Sequence, residues 1–411
     1  MEETKSLAAQ VDEWCREAAE HEAAWRRKAA EDFRFYLGDQ WDSATIAKLE
    51  EDGRPHLTIN KIRPVVKIIM GYQRQNQTDI KTLPVDKTDL ALTDVLNQAF
   101  KIIMEPTGQM ALSLQFLDGL VCGKGWGYMY LDTTRNPYDL IGDIVYKHVS
   151  PFHVFCDPWS LEPDLSDSRY VIRYLKMAPE ELKLLYPDAA TGISIAGSLV
   201  DTSDGVPSDN KGYQSDPYGH AWRENPTELA VRDERLVVLE CSYRKFNRQN
   251  FIYNAQNGEF YPSKTPEAQL QALVRQTPAL QLVKRVIPTV RTAVVMGGTL
   301  LEDKESPYQG NTFPFVPYYC DFVPSARNHD LRFQGVVRPL IDPQQEINKR
   351  RAQMLHIVNT TANSGWIIEQ GAVLDKRILE KFGSKPGIVI EVQSGRKIEK
   401  IEPSPIPRSY T

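Results

Sequence analysis

The sequence predicts an α+β fold. Three observations carry that expectation: helical spacing of apolar residues through the first third, strand-like alternation from Trp126 onward, and a long helical pattern returning after Gly335. Residues 4–37 read as a helix, with Leu7, Val11, Trp14, Ala18, Trp25 and Phe33 or Leu37 as an interrupted stripe among charges. Asp42 is placed to cap a short helix running to Asp52, and Gly53 stops it. Asn60 begins another, which tolerates Pro64 in its first turn and continues through Val66, Ile69 and Met70. Two more helices follow, near 89–104 and 108–122.

Trp126 to Leu131, Asp143 to Val149 and Arg169 to Met177 then alternate apolar and polar residues between Gly, Pro and Asp breaks. Pro179 opens a brief helix, Glu180 to Tyr186. Between about 190 and 229 Ser, Asp, Gly, Pro and Asn are frequent and periodicity is lost, which reads as a long surface loop. Strands resume at Leu236–Phe246, Phe251–Ala255 and a long pair near 283–303, with a charged helix around Pro266–Arg275 and a hairpin turn at Asn257-Gly258. No internal repeat is visible.

The stretch from Gly335 to Trp366 reads as one long helix. Asp342 suits the N-cap, Pro343 the first helical position and Gln345 the third position of a capping box. Ile347, Met354, Leu355 and Val358 share a face, while Glu346, Lys349, Arg350, Gln353 and His356 fall largely elsewhere. Thr360, Thr361, Asn363, Ser364 and Gly365 end it. About 18 residues at 1.5 Å each span roughly 27 Å. An ordinary amphipathic core helix fits this pattern, and so does a helix packed against copies of itself. Beyond it, Lys376, Arg377, Lys381, Lys385, Arg396, Lys397 and Lys400 outnumber the acids of 375–400, against the trend of the chain. Ile378–Phe382 reads there as a short helix and Ile388–Val392 as a strand. The patch is either a solvated surface or a docking face steered by charge.

A net charge of -5 argues against a broad basic face that grips nucleic acid, and is compatible with DNA sliding past on weak phosphate contacts. Cys15, Cys122, Cys156, Cys241 and Cys320 are scattered and odd in number, so free thiols in a reduced compartment are expected. No apolar run approaches the roughly 20 residues of a membrane helix, and Met1-Glu-Glu-Thr-Lys5 lacks a signal core. The expectation is a soluble protein, with no membrane, retained in the cell that makes it.

The chemical motifs are weak. Gly119, Gly123, Gly125 and Gly127 invite a phosphate-loop reading, yet Lys124 is followed by Gly and the segment leaves a helix for a strand, so a tight turn accounts for them. His148, His153 and Asp157 offer metal-ligand types within ten residues, but Ser150-Pro151 and Asp157-Pro158 among them fit a strand end and turns equally well. Asp86, Asp89 and Asp94, and Asp157, Glu162, Asp164 and Asp167, show no spacing that would make carboxylates converge. Neither Gly-x-Ser-x-Gly nor His-Glu-x-x-His occurs. No active site, cofactor or metal is expected.

The ordered set of segments says more. Phe35-Tyr-Leu-Gly-Asp-Gln-Trp41, Gly53-Arg-Pro-His-Leu-Thr-Ile-Asn60-Lys-Ile-Arg63-Pro64 and Gly71-Tyr-Gln-Arg74 come first. Asp118-Gly119, Gly123-Lys-Gly125, Asp157-Pro158 and Ser168-Arg-Tyr-Val-Ile-Arg-Tyr174 follow. Gly335-Val-Val-Arg338-Pro339-Leu340-Ile-Asp342-Pro343-Gln344-Gln345-Glu346-Ile347-Asn348-Lys349-Arg350-Arg351 closes the set. Together they resemble the portal proteins of tailed bacteriophages, particularly of short-tailed enterobacterial phages. The resemblance implies a mixed wing domain of helices and antiparallel strands over 1–335, a stem helix over 336–363, a small α/β clip over 364–405, and a C-terminally truncated chain with 406–411 as the tail at the truncation point. It implies, for the full-length protein, a homo-oligomeric, dodecameric ring at one capsid vertex of the virion, assembled in the host cytoplasm with major capsid and scaffolding proteins. Double-stranded DNA would pass through it, with Lys349, Arg350 and Arg351 as channel candidates. The terminase large subunit, and later neck or tail adaptors, would dock on the basic 375–400 segment. A packaging-motor enzyme and a non-viral scaffold remain the alternatives from other classes.

Overall fold

The computed structural model describes residues 6–76, 81–84, 89–104, 107–133, 142–187, 236–254, 258–263, 269–271, 274, 277, 280–307, 311–362, 365–373, 377, 380 and 389–401. The loop expected at 190–229, most of the helix expected at 266–275, and Asn257 of the expected hairpin turn lie outside them. The fold is α+β and comprises two compact units, Met1–Phe33 with Val66–Arg338, and Arg34–Val65 with Pro339–Thr411.

The first unit is built on α1 (Leu7–Leu37). Ala8, Val11, Cys15, Ala18, Glu22, Trp25, Arg26 and Ala29 are buried, and their steps of three and four define one face. Val11, Cys15 and Ala18 pack on Phe155, Tyr170, Ile172, Cys241, Ala293 and Val295 of the larger sheet. Trp14 stacks on Tyr170 at 4.8 Å. That antiparallel sheet runs β3 (Val154–Cys156), β4 (Tyr170–Met177), β5 (Leu236–Asn254), β7 (Leu280–Met296), β8 (Thr299–Glu305), with β6 (Glu259–Ser263) paired to β5. The sequence pattern divides β5 in two at Asn247–Asn250, where polar residues interrupt the apolar run. Pairing with β7 from Leu239↔Val295 to Asn254↔Leu280 carries the strand straight through.

A second sheet runs β2 (Asp143–Val149), β1 (Lys124–Asp132), β9 (Phe315–Tyr319). Before it in the chain come α2 (Ser43–Glu51), α3 (Ile62–Gln75), α4 (Leu90–Met104) and α5 (Thr107–Cys122). The glycines between α5 and β1 have a packing explanation. Gly123 takes φ +90 just past the helix end, its N–H bonded to Gly119 O at 2.9 Å. A Cβ at Gly125 would lie 2.0 Å from Gln115 O, so only glycine lets helix and strand approach this closely. The short helix α6 (Pro179–Leu185) begins at its proline as the sequence predicts.

Where α1 meets β1 the core is ionic. Glu22, Arg26 and Lys124 are all buried. Arg26 donates to Glu22 Oε2 at 2.8 Å and to the carbonyls of Phe152 and Val154 at 2.7 Å. Lys124 Nζ donates to Glu22 Oε1 at 2.8 Å and sits over the rings of Trp25 and Phe333. Burial alone would raise the Glu22 carboxyl, but the Lys124 and Arg26 charges overcome it and hold it below the usual carboxylate range. Burial, reinforced by Lys124, lowers neighbouring His329 to about 4, so its ring is neutral. All five cysteines are free thiols, and Cys15, Cys122 and Cys241 are buried.

Candidate functional site

The long helix, α7 (Ile341–Ala362), follows a 3-10 turn at Arg338–Leu340. It begins one residue before the expected cap, so Asp342 lies inside its first turn instead of capping it. The preceding turn feeds the chain straight into the helix. Ile341, Gln344, Asn348 and Ala352 are its buried residues, spaced three, four and four. Periodicity read from apolar residues alone misses this face, because its two central members are amides. Their phase with Ile341 and Ala352 is the signal that was available.

These amides bind backbone. Gln344 accepts from Lys61 N–H at 2.9 Å and donates to Ile59 O at 2.7 Å. Asn348 accepts from Ile59 N–H at 3.0 Å and donates to Gln40 Oε1 at 2.6 Å, while Gln344 donates to Asn348 Oδ1 at 3.0 Å. Gln40 in turn donates to Phe35 O at 2.9 Å. Two side chains of α7 thus pair the 59–61 segment much as a neighbouring strand would.

Of the predicted apolar face, Ile347, Leu355 and Val358 remain 37%, 36% and 44% exposed and Met354 is half-buried. The centre of the inward face of the helix is therefore polar, and much of its apolar character is turned outward. Lys349, Arg350 and Arg351 are all exposed. Consecutive residues on a helix diverge by about 100°, so the three point in different directions and one surface meets two of them at most. Arg350 pairs with Glu346 one turn back, and Arg351 Nη1 approaches Met354 Sδ at 3.7 Å.

After α7 a two-stranded ribbon pairs β10 (Trp366–Ile368) with β11 (Ile398–Lys400). Residues 389–392 of the strand expected at 388–392 are irregular, and Val389 is 88% exposed. The apolar run found no strand partner because Trp366–Ile368 pairs farther along, at 398–400. Arg377, Arg396, Lys397 and Lys400 are exposed; Arg396 donates to Gln370 O, and Lys397 N–H to Glu369 Oε2 at 3.2 Å. Lys376, Lys381 and Lys385, with most of the expected helix 378–382, lie outside the described residues.

The model of the phage P22-like portal proteins matches residues 12–410. The chain belongs to that family. A portal protein of Helicobacter pylori bacteriophage KHP30 is 23% identical over 156 residues, which are 38% of this chain and 26% of that protein. The match thus spans about a quarter of that relative's length.

In this portal chain several residues that resembled catalytic or metal-binding sets have local structural partners, and Asp86 lies outside the described residues. His148 Nε2 lies 2.5 Å from Asp118 Oδ2. Burial pushes the Asp118 carboxyl up, and its hydrogen bond with His148 opposes that. Asp157 is held by Arg169 through bonds of 2.6 and 2.9 Å. Asp167 accepts from Ser160 Oγ and Leu161 N–H, both at 2.6 Å, and closes a turn. Among the described residues no group of three His, Cys, Asp or Glu could hold a metal ion, and no helix is long and apolar enough to cross a membrane.

Proposed function

We propose that the chain is the ring-forming subunit of a portal at one capsid vertex, a conduit for double-stranded DNA in packaging and ejection. The observation that carries this reading is the division of labour on α7. Its amides serve its own chain, whereas Ile347, Leu355 and Val358 keep exposed apolar surface suited to a neighbouring subunit. Identical heterologous contacts whose rotation closes give a ring, a dodecamer by family resemblance. In that ring residues 1–335 form the wing, 336–363 the stem and 364–405 the clip. Lys349, Arg350 and Arg351 divide between the channel and the subunit boundary, since they diverge around the helix.

The basic segment with Arg377, Arg396, Lys397 and Lys400 is the docking face for the terminase large subunit and then for neck or tail adaptors. Lys376, Lys381 and Lys385 belong to the same segment by sequence. Major capsid and scaffolding proteins are its partners during assembly in the host cytoplasm, and the virion is its destination. The role is structural and non-enzymatic. Electron microscopy of the purified protein tests the central claim: rings with a central channel are expected, and particles without a channel at every concentration overturn it. Replacing Ile347 and Val358 by Ser is expected to abolish those rings while leaving the subunit folded.

A further inference from the structure

Past Tyr243, β5 has left β4, and before Arg291, β7 has not reached β8. Between those points, over 244–254 and 280–290, the two strands pair with each other, and β5 alone pairs at the far end with β6. At about 3.4 Å per residue this arm is roughly 35 Å long. Its two segments carry Arg244, Lys245, Arg248, Lys284 and Arg285 and no Asp or Glu, in a chain of net charge -5. Arg244 is committed at the root, donating to the carbonyls of Leu165, Ser168 and Asn311. Lys245, Arg248, Lys284 and Arg285 are exposed, and Lys284 and Arg285 also make local contacts.

The register sorts them. Phe246↔Pro288, Arg248↔Val286 and Asn250↔Lys284 lie on one face, where Phe246 is 67% and Val286 58% exposed. Two cations there stand among exposed apolar groups. The outer edge of β7 is also defended against another strand: Pro288 lacks an N–H, and Lys284 and Arg285 place adjacent charges beside it. A second copy would bring the same cations and be repelled. An extended anion would not, and a two-stranded ribbon matches the width of a duplex groove.

We propose that this arm is a contact surface for the phosphate backbone of duplex nucleic acid, bound without sequence preference. Arg248 and Lys284 meet phosphates, and Phe246 and Val286 cover the sugar edge. The inference does not rest on the role of Lys349, Arg350 and Arg351, which lie on a different element. The test is fluorescence anisotropy of a labelled mixed-sequence duplex with the full chain between about 50 and 200 mM KCl, a range over which phosphate contacts are strongly attenuated. Arg248→Glu with Lys284→Glu is expected to weaken binding at least about tenfold at the lowest salt. It should also make the slope of log K against log salt shallower by about 1.8, at about 0.9 per contact.

Alanine at 349, 350 and 351 is expected to leave that arm-dependent loss in place, which separates the two surfaces. Should the reversed pair fail to fold, Arg248→Gln with Lys284→Gln keeps much of the side-chain bulk and is expected to change the slope equally. Three results overturn the proposal: no measurable binding by the unsubstituted chain at the lowest salt, an unchanged affinity and slope in a folded variant, or polyglutamate competing as well as the duplex. The last would make the partner an acidic protein.

Discussion

In the first unit Glu22, Arg26 and Lys124 are buried as ions; in the second, Gln40, Gln344 and Asn348 are buried as neutral amides. Both sets are satisfied, but the difference governs how each fails. An ion cluster holds charges that have lost their water, so removing one member strands the others. An amide network leaves only unpaired dipoles when it is cut, a smaller penalty for each group. The amides also bind main chain at Ile59 and Lys61, which fixes where that segment lies along α7. The core of the first unit is thus secured by charge balance, and the root of the long helix by hydrogen-bond register.

Glu22→Gln is the severest way to break the contrast. It leaves Lys124 and Arg26 buried without their anion, and a loss of about 3–5 kcal/mol is expected from the urea midpoint of the transition that includes the first unit. Replacing all three ions by apolar residues of similar volume should cost far less, and a small loss in Glu22→Gln alone would show that the cluster is not held by charge.

Acid gives a second handle. The folded carboxyl of Glu22 lies below its ordinary value of 4.5, so its contribution is fully present above 4.5 and is lost as pH falls through the folded value. The amide network has no titrating member. Hydrogen exchange should therefore show β3 amides losing protection on acidification before those of Ile59 and Lys61, and the reverse order would contradict the comparison.

Asn348→Leu should cost about 1–3 kcal/mol, because Ile59 N–H and the Gln344 and Gln40 amides lose a partner in a buried place. Exchange at Ile59 should accelerate most, which sharpens the claim of register. Smallest of all, Arg350→Ala removes an exposed one-turn ion pair with Glu346 and should change stability by no more than about 0.5 kcal/mol. Any larger effect would mean that the outer surface of α7 takes part in the fold of the isolated chain.

The same contrast explains what the sequence made legible. α1 and most strands were readable because they bury apolar residues with a clean period; β2 falls where its alternation predicts, at Asp143–Val149. The polar centres were hidden. Glu22 and Arg26 lie in phase with Cys15, Ala18, Trp25 and Ala29, and Gln344 and Asn348 with Ile341 and Ala352, but a charged or amide side chain reads as solvent-facing until its partner is known. Those partners, Lys124 for one set and the 59–61 backbone for the other, are remote in sequence. Pairing choice was hidden for a similar reason. Nothing local says that Trp366–Ile368 takes residues 398–400 as its neighbour when the more strand-like Ile388–Val392 lies closer.

The free cysteines have a use beyond packing. Burial pushes Cys15 up to about 12 and Cys122 and Cys241 well above the ordinary thiol range, so near neutral pH none is a nucleophile in place. Each reacts only when the layer around it opens: Cys15 and Cys241 where α1 crosses the large sheet, Cys122 beside Trp25 and Phe152. Alkylation followed by mass spectrometry would then time the breathing of two interior layers separately, using probes the chain already carries.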